Sequence, residues 1–121
     1  MSRKILICDD EEGIRESLKL ILGDHYELIL TENGPQALEC LKNAADDIGL
    51  VLLDIKMPQD SGLDVLKEIK AKHPKLDVII ITGYKSVETA TEAVHSGASG
   101  YIVKPFKSEE ILYSVKKKLK D

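Results

Sequence analysis

Five short segments of β-type composition recur at a nearly constant interval along the 121-residue chain, and this rhythm restricts its fold more than any other feature. They cover residues 4–8, 26–31, 50–53, 77–81 and 100–103, with starts 22, 24, 27 and 23 residues apart. Between them apolar residues fall at helical spacing, as in Leu63, Leu66 and Ile69, or Ile111, Val115 and Leu119. Strand and helix alternating at this interval build right-handed βαβ units, which stack their strands into a parallel sheet with helices on both faces. Local signals agree. Asn33 stands before Gly34-Pro35 as a helix cap, Ser108 before Glu109-Glu110 as another, and Gly23 and Gly97 follow helical stretches as stops. His73-Pro74 ends the third helix, because the residue before proline disfavours the α region.

Strand composition orders the sheet. Residues 5–8, 50–53 and 78–81 are unbroken apolar runs, as expected of strands covered on both faces. Segment 26–31 carries Glu27, and segment 100–103 begins with Gly100 and Tyr101, so these two read as edges. Strands 1, 3 and 4 are then central, which is the flavodoxin-like order 2-1-3-4-5 of a (βα)5 three-layer α/β sandwich. The length suits one domain over 1–121, since domains typically run about 100–200 residues. The longest run free of polar residues is six, 48–53, against about 20 needed to span a bilayer, so no membrane association is expected. A net charge of −4 and the absence of Trp argue against direct nucleic-acid binding. Cys8 and Cys40 lie in apolar runs without paired spacing and read as reduced core thiols of a cytoplasmic protein. The basic run 116–118 reads as a solvated end of the last helix, suited to the negative pole of its dipole.

In such sheets ligands bind beyond the carboxyl ends of the strands. Strand 1 delivers Asp9-Asp10, strand 3 Asp54, strand 4 Thr82 and strand 5 Lys104. Each residue taken alone has an ordinary explanation. Asp9-Asp10 can favour the positive end of helix 1, Asp54 can serve a turn before Met57-Pro58, and Thr82-Gly83 and Lys104-Pro105 are turn dipeptides. The strand order nevertheless brings all of them to one edge. Three carboxylates about 5 Å apart repel by roughly 3 kcal/mol per pair at an effective dielectric near 20, which calls for a shared proton or a cation. An all-oxygen donor set without His or Cys selects a hard ion, and Mg2+ fits best. A carboxylate beside Mg2+, faced by an amine and a hydroxyl, suits phosphoryl transfer to the carboxylate, with Asp54 the central acceptor.

Four pieces of the chain together carry a resemblance: Ile5-Leu6-Ile7-Cys8-Asp9-Asp10-Glu11, Leu52-Leu53-Asp54-Ile55-Lys56-Met57-Pro58 followed by Gly62, Ile80-Ile81-Thr82-Gly83-Tyr84, and Lys104-Pro105-Phe106. In this order and at these separations the sequence resembles the receiver domains of two-component response regulators over essentially its whole length. The resemblance implies that Asp54 is the phosphoacceptor, charged from a phosphohistidine on a sensor histidine kinase or a histidine phosphotransfer protein. It implies Mg2+ held by Asp10, Asp54 and the backbone carbonyl of Lys56, with Asp9 acting through water. Lys104, across a cis bond to Pro105, would pair with a phosphoryl oxygen, and Thr82 would bond another while Tyr101 turns inward as the switch aromatic. Lys56 and Tyr84 stand where the family modulates attack by water. Their combination is similar to that of the single-domain sporulation phosphorelay regulator, which implies a long-lived phosphoryl group, although both side chains also read simply as solvated loop residues. Ile14, Leu18 and Ile21 form one stripe of helix 1. In the family the first turn of that helix meets the kinase, so Ile14, Pro105 and Phe106 are the expected docking contacts, against the plainer reading that the stripe is all core.

Two further classes compete. A flavodoxin-type electron carrier needs a hydroxyl-rich phosphate loop after strand 1, where this chain has Asp9-Asp10-Glu11-Glu12. A Mg2+-dependent phosphatase with an aspartyl nucleophile places that residue after strand 1 in a DxD arrangement, whereas here the acceptor follows strand 3. Within the receiver reading the output is open. It is either a stand-alone relay intermediate serving a downstream effector or the receiver segment of a longer transcriptional activator, which the run from Cys8 to Glu16 also resembles.

Overall fold

The computed structural model describes residues 3–58 and 61–119. Strands and helices alternate in the order β1 (Lys4–Cys8), α1 (Glu12–Leu22), β2 (Leu28–Thr31), α2 (Gly34–Ala44), β3 (Ile48–Leu53), α3 (Gly62–Lys72), β4 (Asp77–Thr82), α4 (Val87–His95), β5 (Gly100–Val103) and α5 (Ser108–Lys118). A 3-10 turn, Ala45–Asp47, joins α2 to β3. All strand pairings are parallel and run β2-β1-β3-β4-β5, the order expected from strand composition.

Alternation along the strands divides the core into two layers. Ile5, Ile7, Leu50, Leu52, Ile79 and Ile81 pack against Leu18 and Leu22 of α1 and Ile111 and Val115 of α5. Leu6, Cys8, Val51, Leu53, Val78 and Ile80 face the other way, onto Ala37 and Leu41 of α2, Leu66 and Ile69 of α3, and Ala93 of α4. Every residue of 5–8, 50–53 and 78–81 is buried, and each large apolar side chain so buried is worth about 1.5–3 kcal/mol of transfer free energy. Cys8 is buried, as expected of a core thiol, whereas Cys40 is only half-buried. The edge strands differ. β2 leaves Leu30 exposed, and three of the four residues of β5 are only half-buried.

Some boundaries depart from the sequence reading. β2 begins at Leu28, not at 26, because His25 and Tyr26 still donate their N–H groups to the Leu22 carbonyl and close the end of α1. β3 begins two residues early, at Ile48. Ser108 is the first residue of α5 and not its cap. The Lys107 carbonyl already accepts from the Glu110 and Ile111 N–H groups, and Lys107 makes no side-chain capping bond. Asn33 does cap α2, its side chain accepting from the Gln36 N–H, and His73 ends α3. Gly23 stops α1 in right-handed geometry, whereas Gly97, with φ of 104°, takes the left-handed conformation that favours glycine.

Strand register then sets the site. Cys8 pairs with Leu53, so β1 and β3 finish level, while Leu53 pairs with Ile80 and β4 runs two residues further, to Thr82. The Asp54 N–H donates to the Cys8 carbonyl at 3.0 Å, and the Lys104 N–H to the Thr82 carbonyl at 2.8 Å.

Candidate functional site

The residues just past these strand ends form a pocket of about 510 Å³ whose lining includes Asp10, Glu11, Asp54, Lys56, Tyr84 and Lys104. Asp9 and Asp54, each 2% exposed, are the buried acids; Asp10 and Glu11 are exposed. One carboxylate oxygen from each of Asp9, Asp10, Glu11 and Asp54 falls within a set mutually no more than 4.8 Å apart.

Local hydrogen bonds hold the two buried acids in place. Asp9 Oδ1 accepts the Glu11 N–H at 2.9 Å, and Asp54 Oδ1 accepts the Lys56 N–H at 2.8 Å, so each folds its loop over its own side chain. The second oxygens of both turn to Lys104, whose Nζ lies 2.8 Å from Asp9 Oδ2, 3.1 Å from Asp54 Oδ2 and 3.0 Å from Glu11 Oε1. The Lys104–Pro105 bond is cis. Arg15 braces the first loop by donating to the Asp9 backbone carbonyl at 2.9 Å.

Charge is unbalanced here, with four carboxylates beside one ammonium. Burial works against the charged form of Lys104, but the hydrogen bonds to Asp9 and Glu11 and the charge of Asp54 outweigh it and raise its pKa above the usual lysine value. Burial also raises Asp9 above the ordinary 3.8, against the lowering pull of Lys104 and of the Glu11 N–H. The two shifts are compatible. Lys104 gains from three acids at once, while Asp9 shares that one cation with two competitors.

At the rim, Lys56 Nζ stands 5.2 Å from the centroid of the Tyr84 ring, within cation–π range. The Tyr101 hydroxyl donates to the Tyr84 carbonyl at 2.9 Å. Burial, then the charges of Asp54 and Tyr84, raise the Tyr101 pKa above 10.0, which keeps that hydroxyl a donor. Thr82 is fully buried, its Oγ1 accepts from the Tyr84 N–H at 3.4 Å, and it is not among the pocket-lining residues. Ile14 and Phe106 are half-buried against the layer formed with α1 and α5, and Pro105 is exposed.

The acids, amine and rim residues expected from the sequence are thus gathered at one sheet edge. Glu11 and Arg15 were not anticipated. The signal for Glu11 was its place directly after two acids, but a third acid there reads equally as favouring the start of α1; for Arg15, whose partner is a backbone carbonyl, side-chain chemistry gave none.

The response regulator receiver domain model matches residues 5–116. The chain is 40% identical over 116 residues to the transcriptional regulatory protein ZraR of Escherichia coli (strain K12), covering 95% of this chain and 26% of that protein. It is 38% identical over 120 residues to sporulation initiation phosphotransferase F of Bacillus subtilis (strain 168), covering 98% of this chain and 95% of that protein. Among solved structures, a CheY-like response regulator receiver domain protein from Methanospirillum hungatei JF-1 superposes with a TM-score of 0.91 at 32% identity, covering 98% of this chain and 94% of that one. The chain spans about a quarter of the length of the transcriptional regulators it matches.

Proposed function

The chain belongs to the response regulator receiver domain family, and from that membership together with the acid cluster at the sheet edge we propose that it is a phosphorylation-driven switch whose acceptor is Asp54. The observation that carries this reading is the clustering of Asp9, Asp10, Glu11 and Asp54 at the carboxyl ends of β1 and β3, with Lys104 from the end of β5 bridging Asp9, Glu11 and Asp54.

Asp54 has one oxygen fixed by the Lys56 N–H and the other beside Lys104, so its carboxylate is oriented before any donor arrives. That carboxylate attacks the phosphorus of a phosphohistidine. A P–O bond forms as the donor's P–N bond breaks, and the imidazole leaves, taking a proton from solvent. Lys104 stays protonated throughout and meets the charge on a phosphoryl oxygen, while Thr82 supplies a hydroxyl to another.

The donor set suits Mg2+: clustered carboxylate oxygens, excess negative charge and no His or Cys. Asp10, Asp54 and the Lys56 backbone carbonyl would hold it directly, with Asp9 acting through water. When bound, Mg2+ neutralises charge shared by the acceptor carboxylate and the transferring phosphoryl oxygens.

A phosphoryl group on Asp54 adds about 1.5–2 negative charges, which draw Thr82 and Lys104 and with them the loops after β4 and β5. Tyr101 follows Thr82, and the surface of α4, β5 and α5 changes for a downstream effector. Lys56 and Tyr84, stacked at the rim, limit the approach of water to the acyl phosphate. Ile14, Pro105 and Phe106 are the contacts for a sensor histidine kinase or histidine phosphotransfer protein. The protein acts in the cytoplasm; among the described residues no helix is long and apolar enough to cross a membrane. Both outputs retain support, since relatives include a regulator about four times as long and a phosphotransferase of nearly equal length.

The deciding experiment is phosphotransfer from candidate kinases, and from acetyl phosphate, to wild type and Asp54→Asn, with Mg2+ or with chelator. Single phosphorylation of the wild type only, dependent on Mg2+ and without turnover of generic phosphate esters, is the expected result. Labelling that persists in Asp54→Asn or in chelator contradicts it.

A further inference from the structure

The ammonium of Lys104 has three N–H bonds, and three acceptors already occupy it: Asp9 Oδ2, Glu11 Oε1 and Asp54 Oδ2. A phosphoryl oxygen on Asp54 reaches Lys104 only by replacing one of them. The candidates are unequal. Asp9 and Asp54 are buried and each is anchored a second time, through Oδ1, by a backbone N–H of its own loop. The Glu11 side chain is 60% exposed, and among the described residues its carboxylate makes no hydrogen bond other than that to Lys104. Released, it returns to water at little cost. The Asp54 contact gives way as its own carboxylate is phosphorylated, and Asp9 turns to a cation, which leaves Glu11 as the partner that competes with the incoming group for Lys104.

We propose that Glu11 is a competing occupant of Lys104, which holds the amine before phosphorylation and slows the charging of Asp54 by competing with the phosphoryl group for it. Glu11 is therefore a positioning residue that acts through Lys104 and sets the charging rate. The inference rests on Asp54 being the acceptor.

The test uses the full chain as wild type, Glu11→Gln, Glu11→Ala and Glu12→Gln. Glu12 is a neighbouring exposed acid in the first turn of α1, which makes its variant a control for simple loss of negative charge. Charging by acetyl phosphate at saturating Mg2+ is followed on phosphate-affinity gels, and Mg2+ affinity is measured separately by titration calorimetry. From the usual strength of an exposed ion pair, both Glu11 variants are expected to charge about two- to fivefold faster, with Glu12→Gln unchanged. Beryllofluoride affinity is expected to rise in parallel, and Mg2+ affinity to stay within about threefold of wild type. Unaltered or slower charging of the Glu11 variants overturns the proposal. So does equal acceleration in Glu12→Gln, which makes the effect one of general charge, or a tenfold loss of Mg2+ affinity, which makes Glu11 a ligand. A wild type that takes no phosphoryl group overturns the acceptor reading as well; a charged wild type with unaccelerated Glu11 variants overturns this one alone.

Discussion

Replacing Gly62 with alanine is expected to damage stability and the acid pocket together. Gly62 opens α3 in a buried position, and a Cβ built there lies 2.1 Å from Ile55 Cα, 2.7 Å from its Cβ and 2.8 Å from its Cγ2. Ordinary carbon contacts are about 3.5–4.0 Å, so relief requires the first turn of α3 and the segment after β3 to separate by roughly 1.5 Å. Rotamer change cannot supply this, because the nearest atom is backbone. Overpacking of this kind costs about 3 kcal/mol, and the lower chain entropy of unfolded alanine returns less than 1 kcal/mol. A net loss of about 2–3 kcal/mol corresponds to a Tm lowered by roughly 6–15 °C in a chain of this size. Ile55 adjoins Asp54, so the same displacement misplaces the acceptor, and Mg2+ affinity should fall about tenfold. Gly13→Ala is the internal comparison. It lies in the exposed first turn of α1 with nothing within 4 Å of an added Cβ, and should stabilise by about 0.5–1 kcal/mol. Urea unfolding of the two variants with parallel Mg2+ titrations is the assay. A wild-type midpoint for Gly62→Ala, or equal losses in both variants, refutes the steric argument.

Four other outcomes are expected. Burial raises the Asp9 carboxyl above 3.8, so the folded chain binds that proton more tightly than the unfolded chain and stability declines as pH rises through that interval. In chelator, the stability of wild type relative to Asp9→Asn should therefore decrease from pH 3.8 upward, as read by urea midpoints at several pH values. Ser86 accepts from the Glu88 and Thr89 N–H groups at the start of α4, so Ser86→Ala should cost about 1 kcal/mol and speed amide exchange in that first turn. Charged with acetyl phosphate, the wild type should retain its phosphoryl group well beyond seconds, and Lys56→Ala or Tyr84→Ala should shorten that lifetime in a phosphate-release assay. Ile14→Asp should slow phosphotransfer from the cognate kinase while charging by acetyl phosphate stays unchanged; an unaltered kinase rate removes Ile14 from the docking surface.

Strand order was legible because the two-sided burial of β1, β3 and β4 leaves unbroken apolar runs, although β2 (Leu28–Thr31) is itself largely apolar and the Glu27 that marked it as an edge lies just before it. The acids and Lys104 were legible for a related reason: each directly follows an apolar run, where sheet geometry, not local propensity, decides its neighbours. Element ends were less so. Tyr26 has strand composition, yet its N–H is taken by the end of α1, a competition between backbone acceptors that no residue type announces. Ser108 followed by two glutamates satisfies a capping pattern one residue late, and Ser61 and Ser86, which do cap helices, lie within loops that gave no comparable periodic cue. The contact between Glu11 and Lys104 joins residues 93 apart in the chain and depends on side-chain reach beyond strand register.

The sheet order also bears on synthesis. Once β1 and β2 have paired, β3 joins the free side of β1, β4 the free side of β3 and β5 the free side of β4. Each strand leaving the ribosome thus finds an open flank, and none has to be wedged between two that are already joined. The acids follow the first and third strands, whereas the amine that bridges them follows the last, so a chain cut before β5 would keep the acids and lose their cation.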